Sequence, residues 1–520
     1  MKRDWADGYV ADITYSHGYF HELAPPYLRW HLLVNGLALP SDGGAYTYCE
    51  LGYGQGVSAN LHAAANPRGE FWGTDFNPDH ALNARSLARQ SGVSAQWLDL
   101  GFEAMLETPT PPFDFIVLHG VWSWVSSAAQ HALVELMRRK LKPGGAVFMS
   151  YNVLPGWNAE KPLRDLLYLH TEQAGAPDAP TPARIAQALR FAQSLRRHGS
   201  AFFTENTRAS QALDDMLRQE PGSLAHEYFN QSWCLSYFAD VAQQLQAARL
   251  NFACSVHLSD VAGEVRDRLA GASFLDASLG TSLCETAADF VLNRRFRRDV
   301  FTRGSLRLTP AQRLAALDEV KLVLARPVAD VPMFLSTPYG KMALDESRLR
   351  PLLEQLAAAT QPLTLAALRA DTAETGWAVD DLVLNLSRLI ARRDICPVFE
   401  DDVQRVRDSR APAFNEAIAQ RSLADGTLRC LASPVSGNGI DTSAIERLFW
   451  LAWQGGARSA AELGRAVTAQ GASAQAQEEH EQHAAHFLGS TVPVWQRLGL
   501  LGNRGVQKPC KQVRSRRDRD

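Results

Sequence analysis

The run Tyr48-Cys49-Glu50-Leu51-Gly52-Tyr53-Gly54-Gln55-Gly56 has the residue types and spacing to hold a ligand. It reads as a strand that ends in a glycine-rich turn, where backbone N–H groups can approach a ligand that a β-carbon would push away. Val57 stands where a dinucleotide fingerprint needs its third glycine, and no Gly-Lys-Ser/Thr follows, so neither that fingerprint nor a phosphate loop is present. Asp75 closes the next expected strand, nineteen residues after Gly56. That is close to the ~20 of a carboxylate that accepts from ribose hydroxyls in a strand–helix–strand unit. Asp99 closes a third strand and offers an acceptor for an adenine amino group. Taken singly, Asp75 or Asp99 is as good a helix cap as a ligand contact, and Glu50 could be a structural anion. Their joint spacing points to a cofactor.

The elements that must position these groups alternate. Expected strands at 69–75, 94–98, 113–118 and 146–151 are separated by helices near 79–90 and 128–141. Such alternation implies a parallel, doubly wound sheet, whose ligands sit at the carboxyl ends of the strands. Glu50, Asp75, Asp99 and His119 all fall there. Later, 251–258 and 297–303 read as strands after helices at 233–248 and 285–295, and they supply a sixth and seventh strand. The expected organisation is a lid at 1–45 and a split catalytic domain at 46–155 plus 232–305. A helical insertion occupies 156–231.

The 520 residues carry a net charge of −3 and 46% hydrophobic residues. This composition allows several cores and gives no global pull toward nucleic acid or anionic membrane. The seven cysteines are scattered without a C-x-x-C, so neither a zinc knuckle nor a disulfide framework is indicated. The N-terminal residues lack a signal-peptide core, and no long apolar run exists. A cytoplasmic chain that binds no nucleic acid and does not insert into membranes is expected. His480, His483 and His486 recur every three residues among glutamates, which suits a solvated helix face better than a metal site.

The C-terminal region repeats itself. Leu335-Ser336-Thr337-Pro338 returns as Leu431-Ala432-Ser433-Pro434, ninety-six positions later, and Asp345-Glu346-Ser347 as Asp441-Thr442-Ser443 at the same offset. Expected helices at 363–369 and 380–392 match others at 460–469 and 478–487. With the strand Cys396–Phe399 they suggest two tandem winged-helix-like units at 330–425 and 426–505, then a disordered basic tail at 506–520. The acidic start of the helix at 380 disfavours phosphate contact, so a protein surface or plain structure is the better reading. A repeated module of this size suits recognition of a large acceptor or a homodimer, and 330–520 is expected to be removable with little effect on cofactor binding.

The acid before Gly-x-Gly-x-Gly, together with Gly73-Thr74-Asp75, resembles class I S-adenosylmethionine-dependent methyltransferases. Three further blocks narrow the resemblance: His119-Gly120-Val121-Trp122-Ser123-Trp124, Tyr151-Asn152-Val153-Leu154-Pro155-Gly156-Trp157, and His226-Glu227-Tyr228-Phe229-Asn230. They are similar to those of bacterial methyltransferases carrying a methyltransferase regulatory domain, some of which methylate lysines of outer-membrane proteins. The resemblance covers about the first 300 residues well and implies S-adenosylmethionine as cofactor and a protein acceptor. Cofactor contacts are expected from Glu50, Gly52, Tyr53, Gly54, Gln55, Gly56, Asp75, Phe76, Asn77, Asp99, Leu100, His119, Gly120 and Trp124. An aromatic acceptor pocket is expected from Tyr15, Tyr19, Trp122, Tyr151, Asn152 and Trp157, with Trp124 at its edge. His119, Tyr15 and Asn152 are the candidates to orient or deprotonate the acceptor. Two other functions fit the same residues: methylation of a small molecule or glycan, and a non-catalytic cofactor-binding interaction protein. The intact Glu50, Gly52, Gly54, Gly56 and Asp75 argue against the last.

Overall fold

The computed structural model describes residues 8–10, 13, 17–41, 44–174, 179–261, 263, 280–337, 340–371, 377–400, 403–468 and 474–502. Tyr15 and the basic tail lie outside them. Strand β1 (Tyr46–Leu51) sends Tyr46 and Tyr48 into one apolar layer and Cys49 and Leu51 into the other. Apolar residues on both faces are what a fully buried parallel strand requires. It is flanked in parallel by β2 (Gly69–Asp75) and β4 (Phe113–Leu118). With β3 (Ala95–Asp99), β5 (Leu141–Asn152), β6 (Asn251–Ser255) and β7 (Phe296–Thr302), the sheet runs β3-β2-β1-β4-β5-β7-β6. Strand β7 is antiparallel to both of its neighbours. The order reverses between β1 and β4, the switch point where ligands bind in open α/β sheets.

Helix α1 (Pro25–Val34), α2 (Val57–Ala65) and α3 (Pro78–Ser91) lie on one side; α4 (Phe102–Glu107) and α5 (Ser127–Lys140) lie on the other. The helix expected over 233–248 is shorter, Phe238–Gln246. Tyr237 caps it, its N–H donating to Asp240 Oδ2 at 3.1 Å, which leaves 233–237 extended. The inserted helices, among them Lys161–Gln173, Thr181–Arg197, Thr207–Leu217 and Pro221–Tyr228, share a small apolar core of their own around Leu163, Leu189, Leu213 and Phe229.

The internal repeat has a structural counterpart. The hairpin Phe334–Thr337/Gly340–Ala343 precedes helices Glu346–Ala358, Leu365–Asp371 and Val379–Ala391. The hairpin Cys430–Ala432/Gly439–Asp441 precedes Ala444–Gln454, Ala460–Val467 and Ala474–His486. In each copy the hairpin stands before the first helix, whereas a wing follows the third. After the third helix, Ile395–Val398 pairs antiparallel with Lys321–Leu324, outside the repeat. Residues 363–364, expected to begin a helix, form a short strand on the other side of Lys321–Leu324.

This C-terminal half shares its core with the sheet. One apolar cluster runs from Leu23 through Tyr48 and Phe71 to Leu386, Phe414 and Leu501. Trp30 of α1 is fully buried, and its indole N–H donates to Ser387 Oγ at 3.0 Å. Arg29 pairs with the buried Glu400 at 3.0 Å. Arg421 reaches back to Asn83, Ser86 and Gln90 on α3. The shared packing speaks against the expectation that 330–520 could be removed cheaply, because the cut would run through a continuous core. Among the described residues no helix is long and apolar enough to cross a membrane.

Candidate active site

A cleft open to solvent lies at the carboxyl ends of β1, β2 and β4. Its floor is the glycine turn. Gly52, Gly54 and Gly56 all hold positive φ, at 75°, 55° and 72°, a region that side chains with a β-carbon rarely adopt. A β-carbon on Gly56 would meet the Ala84 β-carbon at 2.4 Å, and one on Gly52 would meet Val121 Cγ2 at 2.5 Å. The turn is thus pressed between α3 and the segment after β4, with its backbone facing the cleft.

Asp75 fixes the turn from the side. Its Oδ2 accepts from the Gly54 N–H at 2.8 Å, and Oδ1 accepts from the Asn77 N–H at 3.0 Å. His80 Nδ1 lies 3.1 Å from Oδ1. A carboxylate has about four lone-pair sites, so Asp75 retains capacity for ribose hydroxyls beside these contacts. Asn77, expected as a ligand contact, caps α3 instead, with its Oδ1 accepting from the Asp79 N–H at 3.0 Å. Asp99 and Leu100 stand beyond the lining of the cleft. Asp99 is exposed and in register with Asp75, while Leu100 is tied by its backbone to Thr74 and Asp75.

Glu50 is a strongly perturbed carboxyl in the cleft. It is buried, and burial pushes its carboxyl up to about 8, against the lowering effect of the Tyr48 hydroxyl, which donates to Oε2 at 3.4 Å. Among the described residues it has no cationic partner. A buried carboxyl that lacks a cation and faces a cleft is suited to a ligand that brings one. S-adenosylmethionine carries an ammonium and a sulfonium, so this chain's residues fit it.

His119 and Gly120 line the opposite wall. His119 Nδ1 is 3.1 Å from Ser150 Oγ, and its ring lies 3.9 Å from that of Phe20. Burial lowers its pKa to about 4, with Glu22 opposing, so the imidazole is neutral at pH 7. Trp124, Val125, Phe102 and Tyr9 complete an apolar mouth.

Several expected pocket residues lie elsewhere. Trp122 is fully buried under α5, while Trp124, two positions on in the same short helix, lines the cleft. Tyr151 points into the second layer, its hydroxyl donating to Asp299 Oδ2 at 2.6 Å. Asn152 is buried, and its backbone N–H donates to Ser123 Oγ at 2.8 Å. Trp157 packs against the segment that leads into β7: its indole N–H donates to Arg295 O at 2.9 Å, and the Arg295 guanidinium lies 3.8 Å over its ring. Tyr19 turns away from the cleft, and its hydroxyl accepts from the Gly439 N–H at 2.8 Å. Its neighbours Gly18 and Phe20 line the cleft instead. Sequence reasoning missed Tyr9, Phe20, Ser58, His80 and Phe102. For Phe20 the signal was present in the aromatic leader Tyr19-Phe20; for His80, its place five residues past Asp75 was the only hint.

Two family models match the chain: a methyltransferase domain over residues 49–147, and a predicted methyltransferase regulatory domain over 220–303. An uncharacterized protein of Synechocystis (sll1526) is 34% identical over 512 residues, spanning 95% of this chain and 99% of its own. The chain belongs to the class I S-adenosylmethionine-dependent methyltransferases that carry this regulatory domain. The structure of PKMT2 from Rickettsia typhi, solved with AdoHcy, shares the fold of this methyltransferase. Its TM-score is 0.64 at 17% identity, covering 94% of this chain and 99% of that one. The regulatory match contains β6 and β7, so in this methyltransferase it completes the catalytic sheet.

Proposed function

We propose that this methyltransferase transfers a methyl group to the ε-amine of lysine in a protein acceptor. The observation that carries the reading is the apolar mouth of the cleft, Phe20, Trp124, Val125 and Phe102, beside an imidazole kept neutral by burial. When bound, the cofactor supplies an already activated methyl group. What remains for the chain is alignment of the acceptor, exclusion of water and a neutral amine. A lysine ammonium has an ordinary pKa of about 10.4; an apolar mouth disfavours its charged form and lowers that value. His119, at about 4, is too weak a base to take the proton unaided, so its part is to wall and orient the acceptor, held by Ser150 and Phe20. Glu50 is assigned to the cofactor's cation, Asp75 to the ribose, and the Gly52–Gly56 backbone to close approach.

The protein acceptor is supported by the residue blocks at 119–124 and 151–157 and by the fold shared with PKMT2. The tandem C-terminal repeats are further assigned to building the acceptor-facing surface. The test is transfer from tritium-methyl S-adenosylmethionine to lysate of the native host, with acid hydrolysis of labelled material. Label recovered as methyl-lysine is expected; label confined to small molecules or glycans would replace this reading, and cofactor binding without any transfer would leave an interaction protein.

A further inference from the structure

The block His226-Glu227-Tyr228-Phe229-Asn230 stands apart from the cleft floor, yet it holds a residue of the cleft wall. Tyr9, from the leader, lines the cleft and meets Phe76 edge-on, with ring centroids 5.7 Å apart at 88°. Phe76 directly follows Asp75. On its other side the Tyr9 ring lies 5.7 Å from that of His226.

The backbone around Tyr9 is fastened at both flanks. The Val10 N–H donates to Asn230 Oδ1 at 2.9 Å, and the Gln231 N–H donates to Gly8 O at 2.9 Å. Asn230 is itself fully buried and built in. Its Nδ2 donates to His226 O at 2.8 Å, and its carbonyl accepts from Arg164 of the helix Lys161–Gln173. Gly8 has a φ of 76°, and a β-carbon there would sit 2.4 Å from Gln231 Oε1. Val10 and Ile13 pack on the apolar core of the inserted helices. A leader that only covered apolar surface would not need a buried asparagine dedicated to one backbone N–H.

We propose that Tyr9, clamped by Asn230 and Gln231, forms the outer wall of the S-adenosylmethionine pocket beside Phe76, which makes Tyr9 a cofactor-contacting residue and Asn230 and Gly8 positioning residues. The inference rests on the cofactor assignment. It also gives the start of the regulatory segment a role, which is to hold the leader on the nucleoside end of the cleft. An aromatic face at that place suits a flat, electron-rich base or the ribose face.

The experiment is calorimetry with S-adenosylhomocysteine on the full chain, with initial rates of methyl transfer where an acceptor is in hand. Tyr9→Ala removes a half-exposed ring outside the main core and should raise Kd roughly five- to tenfold. Asn230→Ala should raise Kd several-fold, and in the Tyr9→Ala background it should add less than twofold, because it acts through Tyr9. The KM for the cofactor should rise while kcat at saturation stays near that of the parent. Tyr9→Phe should restore most of the affinity. If Tyr9→Ala binds within twofold of the parent while Asp75→Ala binds much more weakly, the wall is not there and the proposal falls. If the parent itself fails to bind S-adenosylhomocysteine, the fault lies in the cofactor assignment. Should Asn230→Ala fail to fold, Tyr9→Ala and Tyr9→Phe still decide the matter.

Discussion

Glu50→Gln should make the cofactor-free protein more stable in alkali and at the same time a poorer binder. Burial raises the Glu50 carboxyl from its ordinary 4.5 to about 8. A carboxyl whose folded pKa lies above its unfolded value binds a proton more tightly in the native state. Stability is therefore lost as pH rises from about 4.5 toward 8, and the loss is complete above that. A rise from 4.5 to about 8 sets the full penalty on the order of 5 kcal/mol. Glutamine mimics the protonated carboxyl and can still accept from the Tyr48 hydroxyl, so the variant should melt higher than the parent at pH 9 and about equally at pH 5. Binding reverses the sign. A ligand ammonium beside the carboxyl favours its ionised form, so at pH 7, where about nine in ten Glu50 side chains are protonated for a pKa near 8, binding should expel about one proton. The glutamine variant should expel none from this site and bind about 10- to 100-fold more weakly, the range expected for a lost charged hydrogen bond. Melting curves across pH and calorimetry of S-adenosylhomocysteine in buffers of different ionisation enthalpy read both effects. A parent that binds without proton release, or a variant that melts lower at pH 9, would refute the assignment of Glu50 to the cofactor's cation.

Three further outcomes are expected. Gly52→Ala should weaken S-adenosylhomocysteine binding at least tenfold, since its φ is 75° and the new β-carbon would lie 2.5 Å from Val121 Cγ2; calorimetry of Gly52→Ala with Val121→Ala should recover only the steric part. Arg297→Met should cost about 3 kcal/mol or more by chemical denaturation, because among the described residues it leaves the buried Asp299 without a cation and Asp289 with Arg294 alone, both carboxyls now lying 2.7 Å from the Arg297 guanidinium; a loss under about 1 kcal/mol would mean that Arg294 and the Tyr151 hydroxyl satisfy these carboxyls by themselves. Deleting 330–520 should give insoluble protein or protein without cofactor binding, as judged by size-exclusion chromatography and calorimetry, whereas a folded, binding fragment would contradict the shared core around Trp30.

The glycine-turn half of the cleft was legible because its pattern is local: strand, turn, acid and spacing lie within thirty residues, and Glu50, Gly52, Gly54, Gly56, Asp75, Phe76, His119, Gly120 and Trp124 line the cleft, whereas Asn77, Asp99 and Leu100 do not. The strands expected at 251–258 and 297–303 stand at 251–255 and 296–302, with a short helix beginning at Leu258, but the antiparallel arrangement of β7 was not readable. The acceptor side was harder for a definite reason. In a chain with apolar residues on both faces of each strand, an aromatic residue at a strand end is equally suited to core or cleft, and one position decides which. Tyr151 and Trp122 went to the core, while Trp124 and Phe20 went to the cleft. Tyr9 is invisible to periodicity because it belongs to no element. The repeat was readable as a repeat, but its wing was inferred from a strand whose partner, Lys321–Leu324, lies outside the repeated unit.

The placement of the C-terminal half changes what that half can be for. Arg421 donates to Asn83 Oδ1 at 3.0 Å, and Asn83 Nδ2 donates to the carbonyl of Gln55, inside the glycine turn, at 2.9 Å. Ser409 Oγ donates to Ala64 O at the end of α2, and Asn66 Nδ2 donates to Gly437 O. Helices α2 and α3, which flank the cofactor turn, are thus braced from behind by residues more than three hundred positions later. A detachable substrate reader would touch the sheet through a small polar interface; this one contributes Leu386, Phe414 and Phe449 to the same core as Tyr48 and Phe71. Whatever the C-terminal half recognises, it is built into the scaffold that holds the glycine turn, and it is not an appendage to it.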